Sequence, residues 1–162
     1  MHITTDKTDL TIGILSDTHG LIREQIYPYF TQCDFLLHAG DIGSPSILTA
    51  LSKIAPVYAV LGNTDSTWVY PELKETVFFE TPQCMLCVTH DCKSIDFEPA
   101  ICAVNCVICG HTHIPEIRER DNILYINPGS AGPRRFDLPV SIAILTIRGK
   151  KLDAQIIYLQ AS

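Results

Sequence analysis

The sequence has no run of lysines and arginines, and its acidic residues outnumber its basic ones. Lys and Arg total 12 against 18 Asp and Glu, which gives a formal net charge of −6. A surface of that sign repels the phosphate backbone, so nucleic-acid binding is not expected. Bound divalent cations would reverse the sign locally and would attract an anionic substrate to that point.

Long apolar runs are also lacking. The longest last about six residues, whereas a helix that crosses a bilayer needs roughly 20. The first ten residues include Asp6, Lys7 and Asp9 and have no apolar core, so no signal peptide is expected. These features predict a cytoplasmic protein without a membrane segment.

Cysteine is present in an odd number. Seven cysteines cannot all pair within one chain, which suits a reducing compartment. Four of them match the C-x2-C-x18-C-x2-C spacing of a zinc ribbon: Cys84, Cys87, Cys106 and Cys109. Both pairs lie in apolar, strand-like runs, where residues three apart point to opposite faces. We interpret them as buried thiols that pack like small hydrophobic side chains, with a zinc or redox module as the alternative.

Short apolar runs rich in β-branched residues predict a buried sheet. The predicted strands are Thr11–Leu15, Asp34–Leu37, Val57–Leu61, Met85–Val88, Cys106–Ile108 and Ile123–Ile126. Helical spacing over Leu21–Tyr29 and Pro45–Ile54 separates the first three strands. Pro28 is expected to end the first helix early, and Ser44 to cap the second. This order predicts parallel strands with right-handed crossovers.

The second half of the sequence predicts antiparallel strand pairs. Short turns join Thr76–Glu80 to Cys84–Val88, Glu116–Arg120 to Ile123–Ile126, and Ser141–Ile147 to Ala154–Leu159. Pro99 and a weak periodicity argue against a helix over Lys93–Ala103. No repeat or linker interrupts a chain that is 46% hydrophobic and 19% charged. We therefore predict one mixed α/β (α+β) domain over residues 1–162.

A residue able to bind a metal ion follows each predicted strand except the last, which ends in an Asn-Pro-Gly-Ser turn. These residues are Asp17, His19, Asp41, Asn63, His90, His111 and His113. In open α/β sheets, ligands bind beyond the carboxyl ends of the strands. Imidazole, carboxylate and amide groups together suit Mn, Fe, Zn or Ni better than Ca or Mg alone. Each fragment alone fits an ordinary turn or surface residue, but the ordered set predicts a metal centre.

The series Asp-x-His, Gly-Asp, Gly-Asn-x-Asp, Thr-His, Gly-His-x-His and Asn-Pro-Gly-Ser resembles the calcineurin-like metallophosphoesterases. The match runs from Ile12 to Phe136, and residues 127–136 resemble the compact YfcE-type phosphodiesterases. The resemblance implies a four-layer αββα sandwich of two mixed β-sheets. It also implies two divalent metal ions per chain, with Mn²⁺ expected and Ni²⁺, Fe²⁺, Zn²⁺ or Mg²⁺ as alternatives.

The resemblance also assigns the ligands. The first ion would be held by Asp17, His19, Asp41 and His113, and the second by Asp41, Asn63, His90 and His111, so that Asp41 is shared. The implied activity is hydrolysis of a small phosphate ester, expected to be a diester, by a metal-bridging hydroxide. The implied catalytic residues are Asp17, His19, Asp41, Asn63 and His90. Asn63, Arg134 and Arg135 would contact the phosphate, although the two arginines equally fit a solvated loop.

Two positions depart from the family pattern. Thr64 stands where many relatives have a histidine that protonates the leaving group, and threonine is no acid near neutral pH. Asp91 stands where relatives have glycine, and it either tunes the second ion or faces solvent. The alternative function is a catalytically silent interaction scaffold, like the phosphoesterase-fold subunit of retromer.

Further expectations concern side chains outside the ligand set. His38 is either a plain strand residue or forms a hydrogen bond that supports a ligand. Trp68, Tyr70 and Phe78–Phe79 are expected to form core or subunit contacts rather than a base-stacking platform. Exposed aromatic surface would support a homo-oligomer.

Overall fold

The computed structural model describes residues 2–160. Its strands are β1 (His2–Thr4), β2 (Asp9–Leu15), β3 (Phe35–His38), β4 (Val57–Ala59), β5 (Thr76–Glu80), β6 (Met85–Thr89), β7 (Cys106–Ile108), β8 (Glu116–Arg120), β9 (Ile123–Asn127), β10 (Ser141–Arg148) and β11 (Lys151–Tyr158). They form a six-stranded sheet in the order β1-β5-β6-β7-β9-β8 and a five-stranded sheet in the order β11-β10-β2-β3-β4.

Both sheets are mixed, which confirms the predicted fold class. β2, β3 and β4 run parallel, and β10 joins them antiparallel to β2. In the other sheet β6, β7 and β9 run parallel. β5 is antiparallel to β6 but parallel to β1, and β8 is antiparallel to β9. The predicted antiparallel pairs are all present. Strand β1 was not predicted, because its short sequence has no apolar run and it pairs with the distant β5.

The helices are few and short. α2 (Pro45–Ser52) begins as predicted, with Ser44 Oγ accepting a hydrogen bond from Ser46 N–H. The expected helix before Pro28 is wrong: a 3₁₀ turn (Glu24–Ile26) leads into α1 (Tyr27–Phe30), and Pro28 lies in the first turn of α1. Proline is tolerated there because the first amides of a helix have no partner within it.

Three apolar clusters define the layers. One lies between the two sheets, and a second lies between the five-stranded sheet and the segments with α1 and α2. The third covers the outer face of the six-stranded sheet, where the 3₁₀ turn Cys92–Ser94 and the loop through Val104 form the fourth layer. No α-helix lies in that stretch, as expected from Pro99.

The cysteines are only partly as predicted. Cys84, Cys87 and Cys106 are free, buried thiols, as expected for small hydrophobic side chains. Cys109 instead forms a disulfide with Cys92, with the two Cα atoms 5.7 Å apart. The prediction failed at Cys109 because it lies just beyond β7, where the loops after the adjacent parallel strands β6 and β7 meet.

The aromatic residues separate into core and surface. Tyr70 and Phe79 are buried, whereas the Trp68 side chain is 95% exposed. Within residues 2–160, no helix is long and apolar enough to span a membrane.

Candidate metal centre

The seven predicted ligands converge at one edge of the two sheets. They come from the loops after β2, β3, β4, β6 and β7. Backbone hydrogen bonds join the first two loops, since Asp17 N–H donates to Gly40 O and His19 N–H donates to Asp41 O, each at 3.0 Å. The loop after β7 is tied in by His111 N–H, which donates to Asp17 Oδ2 at 3.2 Å.

One group of candidate ligands consists of Asp17, His19 and His113, whose ligand atoms all lie within 4.8 Å of one another. His113 Nε2 is 3.2 Å from Asp17 Oδ1, and the rings of His19 and His113 stack with centroids 5.6 Å apart. Asp17 Oδ1 and His113 Nδ1 are buried without a hydrogen-bond partner among the described residues. Buried polar atoms are rarely left unpaired, so this donor set fits a cation.

A second group is centred on Asn63. Its Oδ1 lies 3.0 Å from His90 Nε2 and 3.1 Å from His111 Nδ1. These distances are short enough for the three side chains to hold one ion together. His90 Nδ1 donates to Ala39 O at 2.7 Å, so in the neutral ring the Nε2 lone pair faces the Asn63 oxygen. A cation between those two acceptors would satisfy both.

Asp41 lies between the two groups. Its Oδ2 is 3.7 Å from His19 Nε2, and its Oδ1 is 3.5 Å from His90 Nε2. Asp17 is also central, because its carboxylate falls within 4.8 Å of ligand atoms of both Asp41 and His90. The family resemblance implies that Asp41 alone is shared, whereas in the structure the Asp17 and Asp41 carboxylates both lie close to ligand atoms of the two groups.

Burial and local partners shift the pKa values of these carboxyl groups in opposite directions. Burial raises the pKa of Asp17 above its usual range. Burial acts in the same direction on Asp41, but the neighbouring His90 ring in its protonated form and hydrogen bonds from Thr64 outweigh it and hold the pKa of Asp41 below its usual range. Bound cations would favour the ionised form of both.

The backbone at the candidate ligands is strained. Five of the seven have φ angles from +45° to +67°: Asp17, His19, Asp41, His111 and His113. Left-handed conformations cost roughly 1–3 kcal/mol for a residue other than glycine, and they cluster at functional sites. Two glycines permit the close packing of these loops. A Cβ added at Gly62 would collide with Asp41, and one added at Gly110 would collide with Ser16.

Several polar residues support the loops without being ligands. Asn127 Nδ2 donates to Gly110 O at 2.8 Å and to Thr112 Oγ1 at 2.9 Å, which fixes the loop that carries His111 and His113. Ser130 Oγ donates to Asp17 O at 3.1 Å. Both belong to the Asn-Pro-Gly-Ser run, so the sequence signal was present although their supporting role was not predicted.

Asp65 is a further carboxylate close to the candidate ligands, but its oxygens are engaged by backbone amides. They accept backbone N–H groups from Ile42 at 3.0 and 3.1 Å, from Gly43 at 3.2 Å and from Gly62 at 2.9 Å. Asp65 therefore joins the loop after β3 to the loop after β4. It acts as a clamp between backbone segments.

The predicted phosphate contacts differ in position. Arg135 Nη2 lies 3.4 Å from His19 Nε2, beside the first group. Arg134 is exposed, and its side chain has no hydrogen bond or ion pair within residues 2–160. On the opposite side, a cavity of about 430 Å³ adjoins the second group and is lined by Asn63, His90 and Asp91, among others. Asp91 Oδ1 also caps the 3₁₀ turn by accepting from Lys93 N–H at 2.9 Å.

Comparison with known proteins identifies a family. Residues 10–150 match the family described as the calcineurin-like phosphoesterase superfamily domain. A probable metallophosphoesterase of Methanothermobacter thermautotrophicus is 36% identical over 160 residues, covering 91% of this chain and 92% of that protein. A protein of Methanocaldococcus jannaschii named as a phosphodiesterase is 29% identical, covering 88% of this chain and 96% of that protein.

Solved structures share the fold. YfcE, a phosphoesterase from E. coli, superposes with a TM-score of 0.66 at 21% identity, covering 93% of this chain and all (100%) of that one. Vps29 from Entamoeba histolytica, solved in complex with Zn²⁺, superposes with a TM-score of 0.74 at 18% identity, covering 92% of this chain and 99% of that one. At these identities the likeness concerns the fold alone.

Proposed function

Because the chain belongs to the calcineurin-like phosphoesterase superfamily, we propose that it is a phosphodiesterase that depends on two divalent metal ions. One observation carries the proposal. The seven ligand-type side chains form two groups, and the two oxygens of Asp41 point to different groups, at 3.7 Å from His19 and 3.5 Å from His90.

The residues divide into two ligand sets. Asp17, His19, Asp41 and His113 would hold the first ion, and Asp41, Asn63, His90 and His111 would hold the second. When bound, two such ions activate a water molecule and stabilise charge on the phosphoryl oxygens. The mixture of imidazole, carboxylate and amide ligands suits Mn²⁺, Fe²⁺, Zn²⁺ or Ni²⁺, and the resemblance to the family points to Mn²⁺ among them.

The protein groups orient these ligands before substrate arrives. The hydrogen bond from His90 Nδ1 to Ala39 O fixes the ring so that Nε2 faces the second ion position. The Thr64 backbone N–H donates to Asp41 Oδ1 at 2.9 Å, which restrains the rotation of the shared carboxylate. Both contacts hold donor atoms in place, so little reorganisation is needed during reaction.

The substrate would lie across the two groups. Arg135, beside His19, is placed to pair with a phosphoryl oxygen through its planar guanidinium group. The cavity next to Asn63 and His90 would receive one of the two ester groups. The Thr64 hydroxyl cannot act as an acid near neutral pH, so esters with good leaving groups should react best.

The proposal is tested with bis-(p-nitrophenyl) phosphate and p-nitrophenyl phosphate, assayed with Mn²⁺, Ni²⁺, Mg²⁺ and chelator. We expect diester turnover with Mn²⁺ or Ni²⁺ above that with Mg²⁺, and no turnover after chelation. Arg135→Ala should raise KM, and Arg134→Ala is the matched control because that side chain is exposed and has no polar partner within residues 2–160. Turnover that survives exhaustive chelation, or that is absent with every metal, contradicts the proposal.

A second candidate is an interaction scaffold without turnover. The fold likeness to Vps29 favours it, as does the lack of a proton donor at Thr64. The two candidates differ in one result. A scaffold would bind metal with the same stoichiometry but would hydrolyse none of the esters.

A further inference from the structure

His38 and Thr18 are buried polar side chains outside the proposed ligand sets. Their exposed fractions are 0% and 1%. His38 is the last residue of β3, three residues before Asp41, and Thr18 lies between Asp17 and His19 in the loop after β2. The pair therefore connects the two loops that carry three of the proposed ligands.

A chain of hydrogen bonds runs through this pair. Gly40 N–H donates to His38 Nδ1 at 3.2 Å, so that nitrogen must hold a lone pair. In the neutral ring the proton is then on Nε2, which lies 2.8 Å from Thr18 Oγ1. The Thr18 hydroxyl donates its only proton to Ile42 O at 2.9 Å. Only this assignment of the protons gives every N–H and O–H group in the series of hydrogen bonds an acceptor.

The loops that this chain joins have strained backbones. Asp17, His19 and Asp41 all have φ near +50° (+56°, +45° and +55°). Such conformations persist only where the surroundings hold them. Three backbone hydrogen bonds join the loops, from Asp17, His19 and Gly20 to residues 40–42. The hydrogen bonds of His38 and Thr18 join the same two loops through side chains.

We propose that His38, as the Nε2–H tautomer, is a positioning residue that acts through Thr18 to hold Asp17, His19 and Asp41 in their ligand geometry. This inference rests on the proposed function, since it treats those three side chains as metal ligands. Burial, with a smaller contribution from the neighbouring His90, lowers the pKa of His38 to about 3. The ring therefore stays neutral around pH 7, and the direction of the hydrogen bonds is kept.

Two matched substitutions test the link at Thr18. Thr18→Val keeps the shape of the side chain but removes the hydroxyl, so His38 Nε2–H and Ile42 O both lose a partner. Thr18→Ser keeps the hydroxyl. We expect Thr18→Val to weaken Mn²⁺ binding at least tenfold, measured by titration calorimetry, because it leaves buried polar groups without a partner. We expect Thr18→Ser, which keeps the hydroxyl, to bind Mn²⁺ within about threefold of the unsubstituted protein.

Two further variants test His38 itself. An asparagine at position 38 offers an acceptor near Gly40 N–H but cannot reach Thr18, whereas a glutamine can place a donor near Thr18. If positioning through Thr18 matters, His38→Gln should retain more Mn²⁺ affinity than His38→Asn. Thr146→Val, the same chemical change in β10, controls for the general cost of losing a hydroxyl, because within residues 2–160 the Thr146 hydroxyl hydrogen-bonds Asp153 O alone.

The tautomer is measured directly by ¹⁵N NMR of the histidine rings at neutral pH, which requires no turnover. A protonated Nε2 and an unprotonated Nδ1 on His38 support the inference. A protonated Nδ1, or a folded Thr18→Val that binds Mn²⁺ as tightly as the unsubstituted protein, overturns it. If the unsubstituted protein binds two metal ions but hydrolyses nothing, the proposed function fails while the positioning role stands.

Discussion

Asp41 Oδ1 lies 3.5 Å from His90 Nε2, while the other oxygen of the same carboxylate faces His19 at 3.7 Å. This two-sided placement makes Asp41→Asn the most damaging single change we predict. An amide keeps the shape but cannot supply the negative charge that holds two cations close together. We expect metal content and turnover both to fall, the rate by about 10³-fold or more, or about 4 kcal/mol of transition-state stabilisation. Metal analysis and steady-state kinetics measure the two effects.

Single-site ligands provide the comparison for Asp41. His113→Ala and His90→Ala should each weaken mainly one ion position, so excess metal should partly restore turnover by mass action. If Asp41→Asn keeps two metal ions and near-normal turnover, Asp41 is not the shared ligand. Asp17 would then be the better candidate, because its carboxylate also lies near both groups, whereas the oxygens of Asp65 are taken by backbone amides.

The second prediction concerns the missing proton donor. Thr64→His should raise turnover of esters with poor, alkoxide-like leaving groups and should change nitrophenyl esters little, since only the former need protonation. The Thr64 backbone N–H donates to Asp41 Oδ1, and the substitution leaves that bond in place, although it removes the hydroxyl that also interacts with Asp41. Thr64→Ser serves as the control that adds no acid. Equal gains for both kinds of ester would show that the histidine acts by another route.

The sequence was sufficient to locate the candidate site because each ligand follows a strand that is recognisable by its own apolar run. Parallel strands end at a common edge, so local patterns were enough to predict convergence. Asn63 and His111 show where that rule ends: they follow β4 and β7, which belong to different sheets, so their contact at 3.1 Å also depends on how the two sheets pack.

Features set by contacts between distant loops could not be predicted in the same way. The left-handed backbone at Asp17 and Asp41 could not be predicted from residue type: aspartate is enriched in that conformation, but it is also common in ordinary turns. The clamp formed by Asp65 depends on amides that belong to a different loop. The disulfide of Cys109 was missed because its pairing depends on which strand ends lie side by side, and the C-x2-C spacing gives no information on that.

The third prediction tests the buried thiols. Cys84→Ala with Cys106→Ala should lower stability, because both side chains are buried in the cluster between the sheets and their removal leaves cavities. The number of bound metal ions should not change, since neither thiol lies in the candidate centre. Chemical denaturation and metal analysis of the double variant give both quantities. Loss of one zinc ion per chain would show that these cysteines bind metal after all.

The fourth prediction concerns the disulfide between Cys92 and Cys109, which joins the loops that carry His90 and His111. Cys92 follows His90 by two residues, and Cys109 precedes His111 by two, so the bond fixes the distance between two proposed ligands of the second ion. The bond closes a loop with a sequence separation of 17, for which the chain-entropy account gives about 3 kcal/mol of stabilisation.

We expect the free energy of unfolding of the Cys92→Ser/Cys109→Ser double variant to be lower by about that amount. We also expect it to bind one Mn²⁺ ion more weakly while the other is retained, because Asp17, His19 and Asp41 lie in the loops after β2 and β3, which the bond does not join. Cys102→Ser is the matched control, since that thiol is free and exposed, and it should change neither quantity. Titration calorimetry with Mn²⁺ and urea unfolding decide the matter: two unchanged binding steps in the double variant would mean that the disulfide stabilises the fold without shaping the metal centre.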